Sequence, residues 1–180
     1  MRISKVTTRT GDRGETGLGD GSRVKKDDAR IQCLGAIDEL NSFIGFGKVV
    51  LRDKTIISFL ETIQQDLFNI GGELSVPGKE MTAVDVNRIV ELESSVLEWN
   101  EDIPPLKEFI LPGGTEASSR MHLARTSARR AERKLIQLHK SESVTDHCIM
   151  YFNRLSDVFF VLARKLQRDD DVDEKQWKHE

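Results

Sequence analysis

The sequence predicts an all-α fold, a five-helix antiparallel bundle preceded by a glycine-rich N-terminal segment. Three observations carry that expectation. Apolar residues recur at three- and four-residue spacing in five separate stretches, which marks one buried helix face in each. All four prolines, Pro77, Pro104, Pro105 and Pro112, fall between those stretches, where a missing amide donor does no harm. No run alternates apolar and polar residues as a half-buried strand would, and no internal repeat is visible. Helices joined by short loops then close around one core, and 180 residues are ample for it.

Residues 1–27 read as irregular, because Gly11, Gly14, Gly17, Gly19 and Gly21 each raise the entropic cost of ordering the chain. From Asp27 and Asp28 the pattern turns helical, with Ile31, Leu34, Ile37, Leu40 and Ile44 along one face. A second helix follows Asp53, an N-cap, and carries Ile56, Leu60, Ile63, Leu67 and Ile70 before Gly71-Gly72 and Pro77-Gly78 stop it. The third is expected to open on Thr82, with Asp85 reaching back as in a capping box, and to run to about Trp99. A proline- and glycine-bounded loop of about a dozen residues comes next; its Phe109, Ile110 and Leu111 argue against disorder. Helix four is expected from Thr115 to His139 and helix five from Thr145 to Arg168. Residues 1–168 then form a single domain, and the charged, aperiodic stretch 169–180 is expected to be a disordered tail.

The net charge of −3 and pI near 5.9 argue against nucleic acid as the main partner. No apolar run is long enough to cross a bilayer. Cys33 and Cys148 lack metal-site or disulfide-framework spacing and read as small buried hydrophobes in a reducing compartment. Met1 to Lys5 pass straight into a motif with no room for a leader, so a cytoplasmic, bacterial location is expected. His122, His139 and His147 have no metal-ligand spacing and read as ordinary helical histidines. No Ser-His-Asp or Cys-His constellation is present to support covalent catalysis.

Five motifs carry chemistry. The segment from Thr7 to Arg23 combines glycines, hydroxyls and Arg9, Arg13 and Arg23, with Lys25 and Lys26 just beyond. Backbone amides freed by glycine, together with that charge, suit a polyphosphate; a flexible arm is the other reading. It is not a Walker A loop, since Gly47-Lys48 has no upstream glycine and no following Ser or Thr. On helix four, Arg125, Arg129 and Arg133 form a stripe beside the apolar row Met121, Ala124, Ala128, Ala131, Leu135 and Leu138. Arg125 and Glu132 fall at the border of the buried face, where a charge must be paired or bind something, although such runs are also often solvated. Asp38-Glu39-Leu40-Asn41-Ser42 suits either salt bridges to those arginines or a metal ion. Phe109 in its Pro-Gly loop either caps the core or is presented to a flat ligand. In Tyr151 to Asp157 the aromatics belong to the core, while Asn153 and Arg154 can face a site.

In this order and spacing, TRTGDRGETGLGDGSRVKKDD, GAIDELNS, FILPGGT, HLARTSARRAER and YFNRLSD resemble the PduO-type ATP:cob(I)alamin adenosyltransferase family, from about Ile3 to Arg168. The resemblance implies a homotrimer of five-helix bundles with active sites at the subunit interfaces. It implies ATP binding by Thr8, Arg9, Thr10, Gly11, Thr16, Gly17 and Lys26, completed from the adjacent subunit by Arg129, Arg130, Glu132, Arg133 and Asn153. Glu132 is the residue to help hold Mg²⁺ through the phosphates. Asp38 and Arg125 match an inter-subunit ion pair beside the corrinoid, and Phe109 matches the aromatic on the lower face of cobalt. The implied reaction moves the 5′-deoxyadenosyl group of ATP to cob(I)alamin and releases triphosphate. A separate flavoprotein reductase and an adenosylcobalamin-dependent enzyme are the implied partners. The rivals are a non-catalytic corrinoid carrier or sensor, and a helical module whose arginine stripe meets an acidic partner.

Overall fold

The computed structural model describes residues 7–79 and 81–179. Among them are five helices, α1 (Ala29–Lys48), α2 (Lys54–Leu74), α3 (Val86–Glu101), α4 (Glu116–His139) and α5 (Asp146–Asp169). The opening Met1 to Lys5, read above for a leader, lies outside the described residues. Local chemistry starts each helix. Asp28 accepts from the Arg30 amide, Asp53 from those of Thr55 and Ile56, and Thr115 from that of Ser118. Thr145 holds the N-cap position of α5 without a side-chain capping bond; its hydroxyl donates instead to Glu73 at 3.3 Å. The start of α3 differs from expectation: Asp85, not Thr82, is the cap, accepting from the Arg88 amide. Val84 just before the cap and Ile89 four residues after it are both buried, at the positions of a hydrophobic staple.

Side-chain pairs fix the helix directions. Asn41 meets Gln64 and Lys48 meets Glu61, so α1 and α2 are antiparallel. Arg130 bonds Glu39 and Arg120 reaches the Phe46 carbonyl, so α4 runs against α1. Ser118 meets Gln167 and Glu132 meets Asn153, so α5 runs against α4. The core lies between them, with Leu40, Ile44, Leu60, Ile63, Leu67, Phe152 and Phe159 among its fully buried members. A cluster of small residues, Ala124, Ala128 and Ala131, is completely buried on α4 and lets its neighbours approach closely. At Gly47 of α1, any Cβ would collide with the Met121 side chain. One polar joint crosses the apolar interior: Asp66 of α2 accepts from Arg88 Nε at 2.6 Å and from the Tyr151 hydroxyl at 2.7 Å, tying α2, α3 and α5.

Two segments depart from the sequence reading. The N-terminal segment, expected to contain no strand, forms a small antiparallel hairpin of β1 (Glu15–Gly17) and β2 (Arg23–Lys25), with Thr16 opposite Val24. Three-residue strands are too short to show alternation. The pairing is set instead by the turn, where Leu18 N–H donates to Ser22 at 2.9 Å, and by the Gly19 amide donating to the Ser75 carbonyl at 2.7 Å past the end of α2.

The C-terminal stretch, expected to be disordered, packs onto the body. Arg164 donates to both carboxylate oxygens of Glu174, at 2.6 and 3.0 Å, and to the Pro104 carbonyl at 2.7 Å. Leu111 N–H then donates to Lys175 and Trp177 N–H to Phe109, pairing residues 175–177 with the loop before α4. The Arg164 side chain is only 3% exposed, so its charge needs that partner. Glu174→Ala should destabilise the fold by about 2 kcal/mol, a fall of several degrees in the melting midpoint. A truly disordered tail would leave the midpoint unchanged.

Candidate active site

Helix α4 carries most of the expected site. Arg125, Arg129 and Arg133 lie one turn apart, so their guanidinium groups rise along one side of the buried alanine row. Arg129 and Arg133 are exposed and make no ion pair among the described residues. Beside them, Glu132 accepts from Asn153 of α5 at 3.1 Å, and Asn153 accepts in turn from Arg154 at 2.7 Å. Arg154 is itself held by Glu93 of α3 at 2.5 Å, and Arg130 pairs with Glu39 of α1. One turn along α5 stands Asp157. Burial raises its carboxyl above the usual range and Glu132 adds to this, while Arg154 and Arg129 pull the other way. The face therefore offers two free guanidiniums over a braced carboxylate-amide pair, an arrangement suited to a polyanion.

One turn toward the N-terminus, α4 enters a cleft of about 570 Å³ lined by Leu106, Phe109, Ile110, His122, Arg125 and Phe160. Phe109 is 76% exposed, an unusual state for phenylalanine on a loop braced by backbone hydrogen bonds. Its ring lies 6.2 Å from that of Trp177, so the docked C-terminal segment forms part of its support. Arg125 is half-buried over Phe160, 5.9 Å from the ring centre. Burial and the adjacent charge of Arg129 both lower its pKa. His122 is 4% exposed, and its Nδ1 accepts from Arg125 Nε at 3.3 Å. Burial first, then the Arg125 charge, drive the imidazole down to about 4, against a weaker opposite pull from Glu174.

That shift has a pH consequence. Because the folded value lies below the ordinary 6.5, the unfolded chain takes up the proton first as pH falls. The fold should lose stability between pH 6.5 and 4, on the order of 2 kcal/mol by pH 5. Thermal midpoints measured from pH 7.5 to 4.5 should therefore fall less steeply in His122→Asn than in the unaltered chain.

The glycine-rich segment lies elsewhere. Thr8, Arg9 and Thr10 are exposed, and the Thr8 and Thr10 hydroxyls are 3.0 Å apart. Arg9 adopts φ 60°, left-handed for a non-glycine residue. Arg23 ties the Thr10 carbonyl to β2 at 2.8 Å. The Lys26 amine hangs over Gly11, where an added Cβ would stand 3.0 Å from Nζ. Thr16 and Gly17 lie in β1. This group is anchored at the end of the bundle where α1 starts and α2 ends, and among the described residues no hydrogen bond or ion pair joins it to Arg129, Arg133 or Asn153. Asp38 is exposed on α1 and makes no ion pair with Arg125 in the single chain.

A family model described as cobalamin adenosyltransferase matches residues 6–166. The chain belongs to the cobalamin adenosyltransferase family. It is 44% identical to a cobalamin adenosyltransferase of Cupriavidus metallidurans, over 99% of this chain and 97% of that one. It is 42% identical to a corrinoid adenosyltransferase of Bacillus subtilis, over 89% of this chain and 85% of the other. Its fold matches, at TM-score 0.92 and 33% identity, a variant of the PduO-type ATP:corrinoid adenosyltransferase from Lactobacillus reuteri complexed with cobalamin and ATP, covering 97% of this chain and all of that one. The five-helix architecture read from the sequence is thus the architecture of this family.

Within this cobalamin adenosyltransferase, sequence reasoning missed four residues that line or brace the candidate site: His122 and Phe160 in the cleft, Asp157 beside Glu132, and Trp177 against Phe109. His122 precedes Arg125 by three positions, a helical-neighbour signal that was present but carried no chemistry until the burial of both was known. Trp177 had no signal at all, lying in an aperiodic charged stretch.

Proposed function

We propose that this adenosyltransferase moves the 5′-deoxyadenosyl group of ATP to cob(I)alamin, forming adenosylcobalamin and triphosphate. The observation that carries the reading is the continuity of α4: one helix leads from a cleft with an exposed aromatic, through Arg125, to Arg129 and Arg133, which have no ion-pair partner among the described residues. The cleft suits a large flat substrate, and the guanidiniums suit the phosphates next to it.

In the reaction, the cobalt(I) electron pair attacks C5′ of ATP. A Co–C bond forms, the C5′–O bond breaks, and its electrons leave with triphosphate. Cobalt is formally oxidised from +1 to +3. The substrate is itself the nucleophile, so the protein needs no serine, cysteine or general base. Its residues align C5′ with cobalt and neutralise the departing triphosphate. Arg129 and Arg133 do the latter, with Arg130, Asn153 and Glu132 setting the geometry of the face. Thr8, Arg9, Thr10, Gly11, Thr16, Gly17 and Lys26 bind the triphosphate from the other side.

In this reading, which follows the family resemblance, the two halves of the ATP site belong to different subunits of a homotrimer; within one chain, no hydrogen bond or ion pair among the described residues joins them. Asp38 of one subunit then pairs with Arg125 of the next. Mg²⁺ fits the donor set: Glu132 is half-buried and oriented by Asn153, and this ion needs only one or two carboxylates besides phosphate oxygens and water. Phe109 packs under cobalt and keeps the lower axial ligand away, which makes cob(I)alamin easier to form. A flavoprotein reductase supplies the reduced substrate and an adenosylcobalamin-dependent enzyme receives the product. No helix of the described residues is long and apolar enough to cross a membrane, which is compatible with work in the cytoplasm.

The test is anaerobic spectrophotometry of the purified protein with cob(I)alamin, MgATP and a chemical reductant. Expected is loss of the cob(I)alamin band with ATP-dependent appearance of adenosylcobalamin and one triphosphate per turnover. Binding of both ligands without conversion would replace the enzyme by a carrier, and binding of neither would remove the function altogether.

A further inference from the structure

We infer that His122 is a positioning residue for the corrinoid cleft, acting through Arg125. The inference rests on the proposed role of Arg125 in that cleft and adds a residue to it. Three observations support it.

The first is the hydrogen bond. Arg125 Nε always carries a proton and has none to accept, so the 3.3 Å contact requires His122 Nδ1 to be the acceptor. The imidazole is therefore the neutral tautomer with its proton on Nε2. The second is confinement. His122 is 4% exposed on α4, and its ring is backed by Phe160 of α5 at 6.4 Å between centroids. An imidazole wedged there cannot swing away, so the lone pair it offers is fixed in space. The third is the lack of any other acceptor for Arg125. Its guanidinium lies over Phe160 and beside the like charge of Arg129, and among the described residues no carboxylate pairs with it. Bonding Nε to His122 uses the one donor on the inner side of the guanidinium fork and leaves the Nη groups for a partner carboxylate or the substrate.

Electrostatics explains why a histidine serves here. A carboxylate at position 122 would hold Arg125 more tightly but would compete with the partner carboxylate for its charge. A neutral imidazole orients the guanidinium and leaves its charge in place. The Nε2–H makes no protein hydrogen bond among the described residues, and His122 lines the cleft, so a carbonyl of the bound substrate is its natural acceptor.

The test compares three variants in the adenosyltransferase assay. His122→Phe keeps a ring and removes the acceptor. His122→Asn places an amide oxygen where Nδ1 stood. Arg125→Ala removes the group being positioned. Expected for His122→Phe is a rise of about tenfold in KM for cob(I)alamin, KM for ATP staying within twofold. His122→Asn should recover most of that loss, and adding His122→Phe to Arg125→Ala should cost nothing further. Equal loss in the Phe and Asn variants, no loss in either, or full additivity with Arg125→Ala would overturn the inference. If Arg125→Ala alone leaves KM for cob(I)alamin unchanged, the proposed role of Arg125 fails first, and that result is distinct from the others. A second readout needs no substitution to fold: nitrogen NMR of the unaltered protein should show the Nε2–H tautomer of His122 at neutral pH. An Nδ1–H tautomer or a charged ring would overturn the inference.

Discussion

Arg129→Ala is expected to lower kcat/KM by ~10²-fold or more, the loss typical of removing one preorganised donor to a developing negative charge. The guanidinium projects from the middle of α4, exposed and without an ion-pair partner among the described residues. Removing it therefore strands no buried carboxylate, and alanine is a better helix former than most residues. The thermal midpoint should stay within a degree or two of the unaltered protein, which makes the loss a kinetic effect and not a folding one. Arg129→Lys should restore charge without the fork that grips two phosphate oxygens, and so recover only part of the rate. Rates within twofold of normal in Arg129→Ala would show that the triphosphate leaves without help from this side chain.

Phe109→Ala is expected to slow transfer by about tenfold or more, close to 1.4 kcal/mol of barrier, while leaving KM for ATP nearly unchanged. An aromatic ring 76% exposed contributes little to the core, so its removal should scarcely alter stability. What it removes is the ring standing at the mouth of the cleft, supported by Trp177 and held by the backbone pairing of its loop with residues 175–177. The effect should therefore fall on the corrinoid half of the reaction alone. The absorption spectrum of bound, cobalt(II)-state substrate offers an independent readout, since the ring is assigned to exclude the lower axial ligand. An equal rise in both KM values, or an unchanged spectrum, would rule out that assignment.

Much of the fold and part of the site were legible in the order of residues. The five helices follow from apolar spacing, and the start of α2 from its cap Asp53, because a cap and a helix face involve residues at most a few positions apart. The arginine stripe of α4 was visible for the same reason. Family membership was legible too, since the motifs lie in unbroken runs.

What the tertiary structure alone decided depends on groups distant in the chain. Arg164 and Glu174 pair because the chain turns back after α5, and residues 175–177 then meet the loop that carries Phe109. The hairpin of β1 and β2 depends on Ser75, just past the end of α2, to receive the Gly19 amide. Thr82 lost the cap of α3 to Asp85 in a segment where Glu73 of another helix bonds the Ala83 amide. His122 changed from an ordinary histidine to the residue that holds Arg125 only when Phe160 confined its ring. Spacing along the sequence determines which helix faces are apolar. Burial and long-range pairing determine which polar groups lose water and must find each other, and those follow from the assembled bundle.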